Sequence, residues 1–403
     1  MDLHEIVESG LCSGCGACVY VAGESAVKME MDKSGYLRPI ELRPLINSEQ
    51  EAIRKVCPGI GLEHPPTFDK PITYHPVWGP IIDLQAGYAN DPEVRYKGSS
   101  GGVLSSLLIY LIETKQVDFV VQTKASQRFP LLNETVFSET REDIISAAGS
   151  RYAPASPVSA IGEALLKKGK FAFVGKPCDV AAVRKIIQSD PALEARIPFL
   201  LSFMCAGTPS MKGTEEIISQ FKVNKQDVTR FDYRGNGWPG MTKVELEDET
   251  VKAMDYNTSW GSILNKHLQP RCKMCADGTG EFADIVGADA WYGKDGYPDF
   301  TEQDGRSLII ARSLKGKMVM DLAERSKVIQ AAQFNLSKLS TIQPYQFLRK
   351  ASMVPRLLSL RIFARKVPRY LNMELIAASS ESSFRKHARE FLGTISRCIK
   401  GRV

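Results

Sequence analysis

The sequence predicts a mixed α/β protein (α+β in its overall arrangement) with a small cysteine-rich module at its N terminus. Between residues 80 and 335, short apolar runs alternate with segments of helical periodicity, a pattern typical of an α/β domain with a parallel or mixed sheet. Before residue 65, four of the nine cysteines cluster, and the segment CPGIGLEHPP then marks a boundary through its Pro and Gly.

Length and composition limit the class of protein. The 403 residues suffice for two or three domains, and 43% hydrophobic with 24% charged residues is ordinary for a soluble globular chain. The N terminus lacks a basic region followed by an apolar run, so no secretory signal is predicted. The longest apolar stretch, Leu104 to Ile112, is far shorter than the roughly 20 residues of a membrane span. We therefore expect a cytoplasmic protein, in which cysteines favour metal or redox chemistry over disulfides.

Three regions are expected along the chain. Residues 1–65 form the cysteine-bearing module, a Pro-rich linker follows, residues 80–335 form the α/β domain, and residues 341–403 form a basic helical extension. From residue 341 onward there are 13 Lys/Arg and 3 Asp/Glu, a net charge of +10, which leaves −4 for the rest of the chain. The extension is either a solvated peripheral structure or a surface for an anionic lipid headgroup, a nucleic acid or an acidic partner. Aromatic residues are not interleaved for base stacking, which argues against nucleic acid.

Individual elements of the α/β domain follow from hydrophobic periodicity. The predicted strands are 117–123, 170–177, 198–205, 282–288 and 307–313. The predicted helices between and after them are 103–113, 159–169, 179–188, 213–221 and a stretch after Lys315. Several of the strands are apolar enough to be buried on both faces, as in the centre of a parallel sheet.

The N-terminal cysteines have the spacing of an iron–sulfur site. Cys12, Cys15 and Cys18 form a C-x2-C-x2-C triplet, and Cys57 follows immediately before Pro58. In ferredoxins such a triplet with a distant Cys-Pro binds one [4Fe–4S] cluster. A structural zinc site is the alternative, although zinc usually draws two C-x2-C pairs or a pair with histidines.

Four further cysteines suggest a second metal site. Cys178 and Cys205 follow predicted strands, where open α/β sheets place their sites, and Cys272 and Cys275 form a C-x2-C pair. Four thiolates are the number required for a second [4Fe–4S] cluster or for a four-cysteine zinc site, and spacing alone does not separate the two. Cys398 is taken to be non-functional.

A glycine-rich turn precedes the most apolar predicted helix. Ser99, Ser100, Gly101 and Gly102 stand directly before residues 103–113. Unpaired amides at a helix start bind phosphate well, and the serine hydroxyls add donors. A simple helix cap is an equally good explanation of the same residues.

Six motifs in a fixed order carry a family resemblance. They are CSGCGAC…CP, KGSSGG, GSRYAPAS (149–156), FVGKPCDVAAVR (173–184), YRGNGWPG (233–240) and CKMCADGTGEFADIVGADAW (272–291). Over residues 5–330 the chain resembles the beta subunit of coenzyme F420-reducing hydrogenase and its relatives. These relatives include the F420-linked formate dehydrogenase beta subunit and the plant 7-hydroxymethyl chlorophyll a reductase. The basic extension is more similar to bacterial members associated with surface-polysaccharide biosynthesis.

The resemblance implies an FAD-containing iron–sulfur oxidoreductase of the α/β flavin-binding type, with a ferredoxin-like module. The implied cofactor-binding residues are Ser99, Ser100, Gly101, Gly102, Ser150, Arg151, Tyr152 and Lys176. The second cysteine set would hold a second cluster, and Asn236 and Trp238 either line the substrate side of the flavin or form only a tight turn. The implied substrate is F420 or another small molecule, and the implied partner is a ferredoxin-like electron donor or acceptor or a catalytic subunit.

Two other functions remain open from the sequence. The chain has one ferredoxin-type triplet instead of two, and no clear acid–base pair is found among its five histidines. An electron-transfer subunit without its own substrate site would have the clusters but no productive flavin pocket. A zinc-bound, non-redox binding protein would have neither.

Overall fold

The computed structural model describes residues 1–294 and 297–400 and has a mixed α/β fold built around one large sheet. Its N-terminal part consists of α1 (Leu3–Glu8), α2 (Ala17–Ala22), β1 (Val27–Met31), β2 (Leu37–Glu41), α3 (Asn47–Val56) and β3 (Gly61–Glu63). Strands β1 and β2 pair antiparallel. Helix α3 buries Ile53 and Val56, so that its last turn, and with it Cys57, is fixed against the core.

Strands make up most of the middle of the chain. In order they are β4 (Thr73–His75), β5 (Gly79–Ile81), β6 (Asp83–Ala89), β7 (Phe119–Ala125), β8 (Asn133–Ser138), β9 (Phe171–Gly175), β10 (Phe199–Phe203), β11 (Val228–Asp232), β12 (Thr242–Leu246), β13 (Val251–Met254), β14 (Ile285–Asp289), β15 (Tyr292–Lys294), β16 (Tyr297–Asp299), β17 (Ser307–Ala311) and β18 (Ile329–Gln333). Strands β11 to β13 form a separate antiparallel sheet, and β4–β5 and β15–β16 are hairpins.

The large sheet has eight strands in the order β18-β6-β17-β14-β10-β9-β7-β8. Its middle four, β14, β10, β9 and β7, are parallel neighbours, and the outer pairs are antiparallel. The carboxyl ends of the four parallel strands therefore open onto one edge. All five predicted strands are confirmed in this sheet, and the mixed α/β class is confirmed with them.

Helices alternate with the strands along this part of the chain. They are α4 (Pro92–Lys97), α5 (Val103–Glu113), α6 (Arg141–Ser146), α7 (Ile161–Leu166), α8 (Pro177–Ser189), α9 (Met211–Phe221), α10 (Pro270–Lys273) and α11 (Leu314–Arg325). Short 3₁₀ turns lie at Pro157–Ala160, Pro191–Ala195, Lys225–Asp227, Leu264–His267 and Leu336–Lys338, and a π-helical turn lies at Asn257–Ile263. Helix α5 has the predicted bounds and is buried along nearly its whole length, which explains why almost every position in it is apolar.

The C-terminal region is helical, as expected, but it is not a solvated periphery. It contains α12 (Leu339–Ile342), α13 (Pro344–Ala351), α14 (Met353–Ile362), β19 (Arg369–Leu371), α15 (Leu375–Ser380) and α16 (Phe384–Ile399). Strand β19 pairs parallel with β3 of the N-terminal part, and Met353 and Leu360 are buried in the same core as the first cysteines. The expectation is wrong for this inner portion because these side chains contribute to a shared core. No helix in the described ranges is long and apolar enough to cross a membrane.

Candidate functional site

The first four cysteines meet at one place. Cys12 and Cys15 lie in the loop between α1 and α2, Cys18 lies in α2, and Cys57 follows the last residue of α3. The loop needs Gly16, because its φ is +89° and a Cβ there would lie 2.8 Å from the backbone nitrogen of Ser159. The close approach of this loop to residue 159 seats the cysteine module directly on the α/β domain.

The thiols of this set face one another. Burial raises the pKa of Cys15 to about 12, and the nearby Cys57 and Cys12 sulfurs add to the rise. Burial also raises the pKa of Cys18, with further contributions from Cys15, Cys12 and Cys57. Thiols packed in this way repel as anions, so they require a positive group among them to act as thiolates. The Gly14 amide lies 3.4 Å from the Cys12 sulfur and donates to it.

The second set of cysteines also comes together. Cys178 lies in the first turn of α8, Cys205 follows β10, and Cys272 lies in α10 with Cys275 two residues beyond its end. Burial raises the pKa of Cys205 to about 12, and the Cys272 and Cys275 sulfurs contribute in the same direction. The Gly207 amide donates to the Cys205 sulfur and the Thr208 amide to the Cys272 sulfur, each at 3.3 Å. Amide donors of this kind stabilise thiolates in iron–sulfur sites.

The two cysteine sets adjoin each other. The pKa of Cys178 is raised by burial and, among other groups, by both Cys205 of its own set and Cys15 of the first set. Side chains beside Cys272 also reach across to the N-terminal module. The Gln269 amide donates to the Ser13 carbonyl at 3.1 Å, and the Arg271 guanidinium donates to the Pro58 carbonyl at 2.9 Å.

Every cysteine is a free thiol in the described part of the chain, so the disulfide framework is excluded there. Within residues 1–294 and 297–400, no group of three or more His, Cys, Asp or Glu side chains is arranged to hold a single metal ion.

A cavity of about 910 Å³ lies at the carboxyl ends of the parallel strands. Its lining includes Thr123, Gly175, Phe203 and Asp289, one from each of the four strands, together with Lys176 and Cys205 just beyond two of them. Seven of the eight predicted cofactor residues line it, namely Ser99, Ser100, Gly102, Ser150, Arg151, Tyr152 and Lys176. Cys205 thus borders both the second cysteine set and the cavity.

The serine–glycine turn has one unused polar group. The Ser99 hydroxyl oxygen is buried and has no hydrogen-bond partner among the described residues, whereas the Ser100 hydroxyl donates to the Ala288 and Arg306 carbonyls. Gly101 lies outside the cavity lining and its amide donates to the Ser307 hydroxyl at 2.9 Å, so its role in cofactor binding stays a prediction. Packing explains its glycine, because a Cβ would lie 2.7 Å from the Ser307 nitrogen.

The basic residues of the lining are largely engaged with protein groups. The Arg151 guanidinium donates to Asn133 and to the carbonyls of Phe231, Pro130 and Leu132. The Lys176 ammonium donates to Asp179 at 2.7 Å and to the Ala155 carbonyl at 3.2 Å. Burial lowers the pKa of Lys176, but the Asp179 carboxylate outweighs it, and the net pKa is raised.

Asn236 and Trp238 lie outside the cavity lining, and their predicted place on the substrate side of a flavin stays a prediction. Trp238 is buried against Trp291, with ring centroids 4.7 Å apart, and its indole N–H donates to Asp289 at 2.7 Å. The sequence analysis missed Arg234, which forms a two-bond ion pair with Asp289 at 2.9 and 2.5 Å in the cavity wall. Arg234 and Asp289 both lie in motifs quoted above, and their opposite charges are the only sequence feature that suggests an ion pair between them.

Helix α13 forms another wall that the sequence analysis missed. Gln346 is 5% exposed, borders the cavity, and has a side-chain oxygen without a partner among the described residues. The helix is held by Lys350, whose ammonium lies 2.5 Å from Glu281 in a fully buried pair, and by Arg349, which donates to the Ala206 carbonyl. No sequence signal connects this region to the cavity, because both contacts are long-range.

Known proteins are similar over most of the chain. The beta subunit of coenzyme F420 hydrogenase from Methanococcus voltae is 26% identical over 263 residues, covering 64% of this chain and 84% of that protein. A subunit of the F(420)H(2) dehydrogenase of Methanosarcina mazei is 24% identical over 299 residues, covering 72% of this chain and 80% of that protein. The coenzyme F420-dependent sulfite reductase of Methanocaldococcus jannaschii is 23% identical over 341 residues and 80% of this chain, but only 47% of its own length is covered.

A solved structure and two family models agree with these similarities. A chain of the F420-reducing [NiFe] hydrogenase complex from Methanosarcina barkeri shares the fold with a TM-score of 0.54 at 22% identity, covering 74% of this chain and 98% of that one. Residues 84–163 match the model of the coenzyme F420 hydrogenase/dehydrogenase beta subunit N-terminal part, and residues 168–336 match the model of its C terminus. The chain belongs to the family of coenzyme F420 hydrogenase/dehydrogenase beta subunits.

Proposed function

We propose that the protein is an iron–sulfur flavoprotein oxidoreductase that relays electrons between two [4Fe–4S] clusters and FAD and exchanges a hydride with a small organic molecule. One observation carries the proposal. Two sets of four cysteines adjoin each other, and Cys205 of the second set lines the large cavity. A chain of sites in this order connects a one-electron donor to a substrate pocket.

The residues of each cysteine set are suited to hold a cluster. Four thiols meet in each set, backbone amides point at the Cys12, Cys205 and Cys272 sulfurs, and burial with mutual repulsion disfavours thiolates unless a cationic group lies among them. Iron supplies that positive charge.

The cavity is suited to hold FAD. Its volume of about 910 Å³ is at the upper end of the roughly 300–1,000 Å³ of small-molecule sites, as a dinucleotide requires. The start of α5 offers the unpaired Ser99 hydroxyl to an anionic or hydroxyl-bearing cofactor. A bound flavin supplies the exchange between two-electron and one-electron chemistry. The aromatic residues Tyr152, Tyr256 and Trp291 line the same cavity.

The substrate is proposed from the relatives' names together with the pocket. Relatives named for coenzyme F420 make F420 the first molecule to test, and the cavity wall offers Gln346 and Arg349 as polar groups for an organic ligand. The names of those relatives as subunits support a catalytic partner subunit or a ferredoxin-like electron donor as the second reactant.

Anaerobic purification with iron, sulfide and flavin analysis tests the proposal. We expect about eight irons and one FAD per chain, falling to about four irons in Cys57→Ser and in Cys272→Ser. Cys398→Ser is the matched control, since Cys398 is buried away from both sets, and its iron content should match wild type. A colourless protein that contains zinc and no iron would refute the redox function. Clusters without flavin would indicate an electron-transfer subunit without its own substrate site.

A further inference from the structure

The outer surface of the C-terminal region exposes many bulky apolar side chains. Eight of them are at least one-third exposed between residues 358 and 399: Leu358, Ile362, Phe363, Leu371, Ile376, Phe384, Leu392 and Ile399. Phe384 and Ile376 are each 84% exposed. Single exposed apolar residues need no explanation, but a group of this size in one stretch marks an interaction surface.

Helix α16 arranges its exposed residues in one stripe. Arg385, Arg389, Leu392 and Ile399 are exposed and recur at spacings of three, four or seven, so they lie on one face, while Thr394 and Cys398 are buried on the opposite one. A stripe that mixes basic and apolar residues is unusual for a face that only meets water.

Helix α14 packs beside α16 and extends the same surface. The Ser359 hydroxyl lies 3.1 Å from the Phe391 carbonyl, and Arg356 forms an ion pair with Glu390 at 2.8 Å. Exposed Leu358 and Ile362 lie four residues apart on one face of α14. We call the exposed residues of α14, of α16 and of the turn 361–366 the basic apolar surface.

The charge of this surface is uncompensated. Five exposed basic residues form no ion pair with any residue that the structure describes: Arg361, Arg365, Arg385, Lys386 and Arg389. The acidic residues of 341–403 are only Glu374, Glu381 and Glu390, and Glu390 is engaged by Arg356. These five uncompensated positive charges therefore lie on the same elements as the exposed apolar side chains.

We propose that the basic apolar surface docks the protein on an anionic lipid bilayer. Basic side chains attract acidic headgroups, and apolar side chains between them enter the boundary of the acyl region, which is how amphipathic helices bind membranes without crossing them. An anionic bilayer presents negative headgroups directly above apolar chains, so it complements both features of this surface at once. On the proposed function, docking would bring the clusters and the flavin of this protein to a membrane surface.

Vesicle co-sedimentation of the full chain tests the proposal. The probes are phosphatidylcholine vesicles with and without phosphatidylserine, at low and physiological salt. We expect binding only to the vesicles that contain phosphatidylserine, and weaker binding as salt rises. Replacing Arg361, Arg365, Arg385 and Arg389 with Gln should lower the partition coefficient at least tenfold, and so should Phe384→Ser combined with Ile399→Ser.

A matched control distinguishes vesicle binding by this surface from nonspecific vesicle binding. Leu166→Ser with Lys168→Gln removes an 87%-exposed apolar residue and an exposed basic residue outside the surface, and binding should not change. Equal binding to both kinds of vesicle, binding to neither, or full binding by the two surface variants would overturn the proposal. Circular dichroism confirms that the variants fold. The outcome does not depend on cofactor content, so failure here is distinguishable from failure of the proposed function.

Discussion

The buried pair Lys350–Glu281 makes a sharp prediction about how helix α13 is held over the cavity. The Lys350 ammonium lies 2.5 Å from Glu281, and their side chains are 2% and 0% exposed. Glu281 is also bonded to His64 at 3.1 Å and to the Tyr74 hydroxyl at 2.9 Å. Lys350→Met keeps the length of the side chain and removes its charge, leaving Glu281 buried without its cation.

The expected cost follows from the burial of both charges. At an effective dielectric of about 20, two unit charges 2.5 Å apart attract by about 7 kcal/mol. Desolvation cancels much of this, and breaking one side of a buried pair typically costs about 3–5 kcal/mol. Adding Glu281→Gln to Lys350→Met removes the unpaired carboxylate charge. The double variant should therefore recover most of the lost free energy of unfolding. Lys55→Met is the control, because its ion pair with Glu51 is on the surface and should cost about 1 kcal/mol or less.

Denaturant unfolding at several pH values measures the free energy of unfolding of the wild type, of Lys350→Met and of the double variant. Burial raises the pKa of Glu281, but Lys350 and His64 outweigh burial and hold it at about 2. The wild type therefore loses this stabilisation as pH falls from 4.5 towards 2. In Lys350→Met the burial effect dominates, so folded Glu281 takes up a proton more readily than the unfolded chain. The stability deficit of the variant should then shrink as the solution is acidified from neutral pH. A deficit under about 1 kcal/mol at neutral pH, or a double variant no more stable than the single one, would refute the reasoning.

Three further predictions concern the site itself. Gly16→Ala should lower the iron content by about half, whereas Gly23→Ala should not; both have positive φ, but only at Gly16 would a Cβ lie within 3 Å of another residue. Ser99→Ala should weaken FAD retention about tenfold in flavin titrations and leave the iron content unchanged, because it removes the unpaired hydroxyl of the cavity. Asp289→Asn should lower the free energy of unfolding by about 3–5 kcal/mol, since it leaves buried Arg234 without its carboxylate.

The sequence predicted the parts of the fold whose signals are local. Five central strands and the bounds of α5 follow from apolar runs that the sheet buries on both sides. Strand β6 escaped prediction because it buries polar residues: Gln85 donates to Asp83 at 3.0 Å, and Gln333 donates to the same carboxylate from β18. The two amides satisfy the buried Asp83 carboxylate, and polar residues thus interrupt the alternation of apolar residues in β6.

The candidate site was predicted to a similar extent and for similar reasons. Both cysteine sets and seven residues around the cavity could be read from motifs, because spacing and glycine content are visible along the chain. What the spacing could not indicate is which polar groups are already engaged. The Arg151 guanidinium is committed to carbonyls and the Ser100 hydroxyl to strand ends, so only the fold identifies the Ser99 hydroxyl as the free one.

The position of the second cysteine set between the first set and the cavity follows from strand register. Strands β9 and β10 are parallel neighbours with Gly175 opposite Ser202, and Cys178 and Cys205 each stand three residues further along. Because Cys178 and Cys205 follow paired residues by the same number of positions, the two cysteines lie side by side at the same edge of the sheet. The large cavity lies at the same edge of the sheet, so Cys205 borders both the second cysteine set and the cavity. Neither thiol's place depends on loop conformation over more than three residues, so the register of the two strands fixes where both thiols lie.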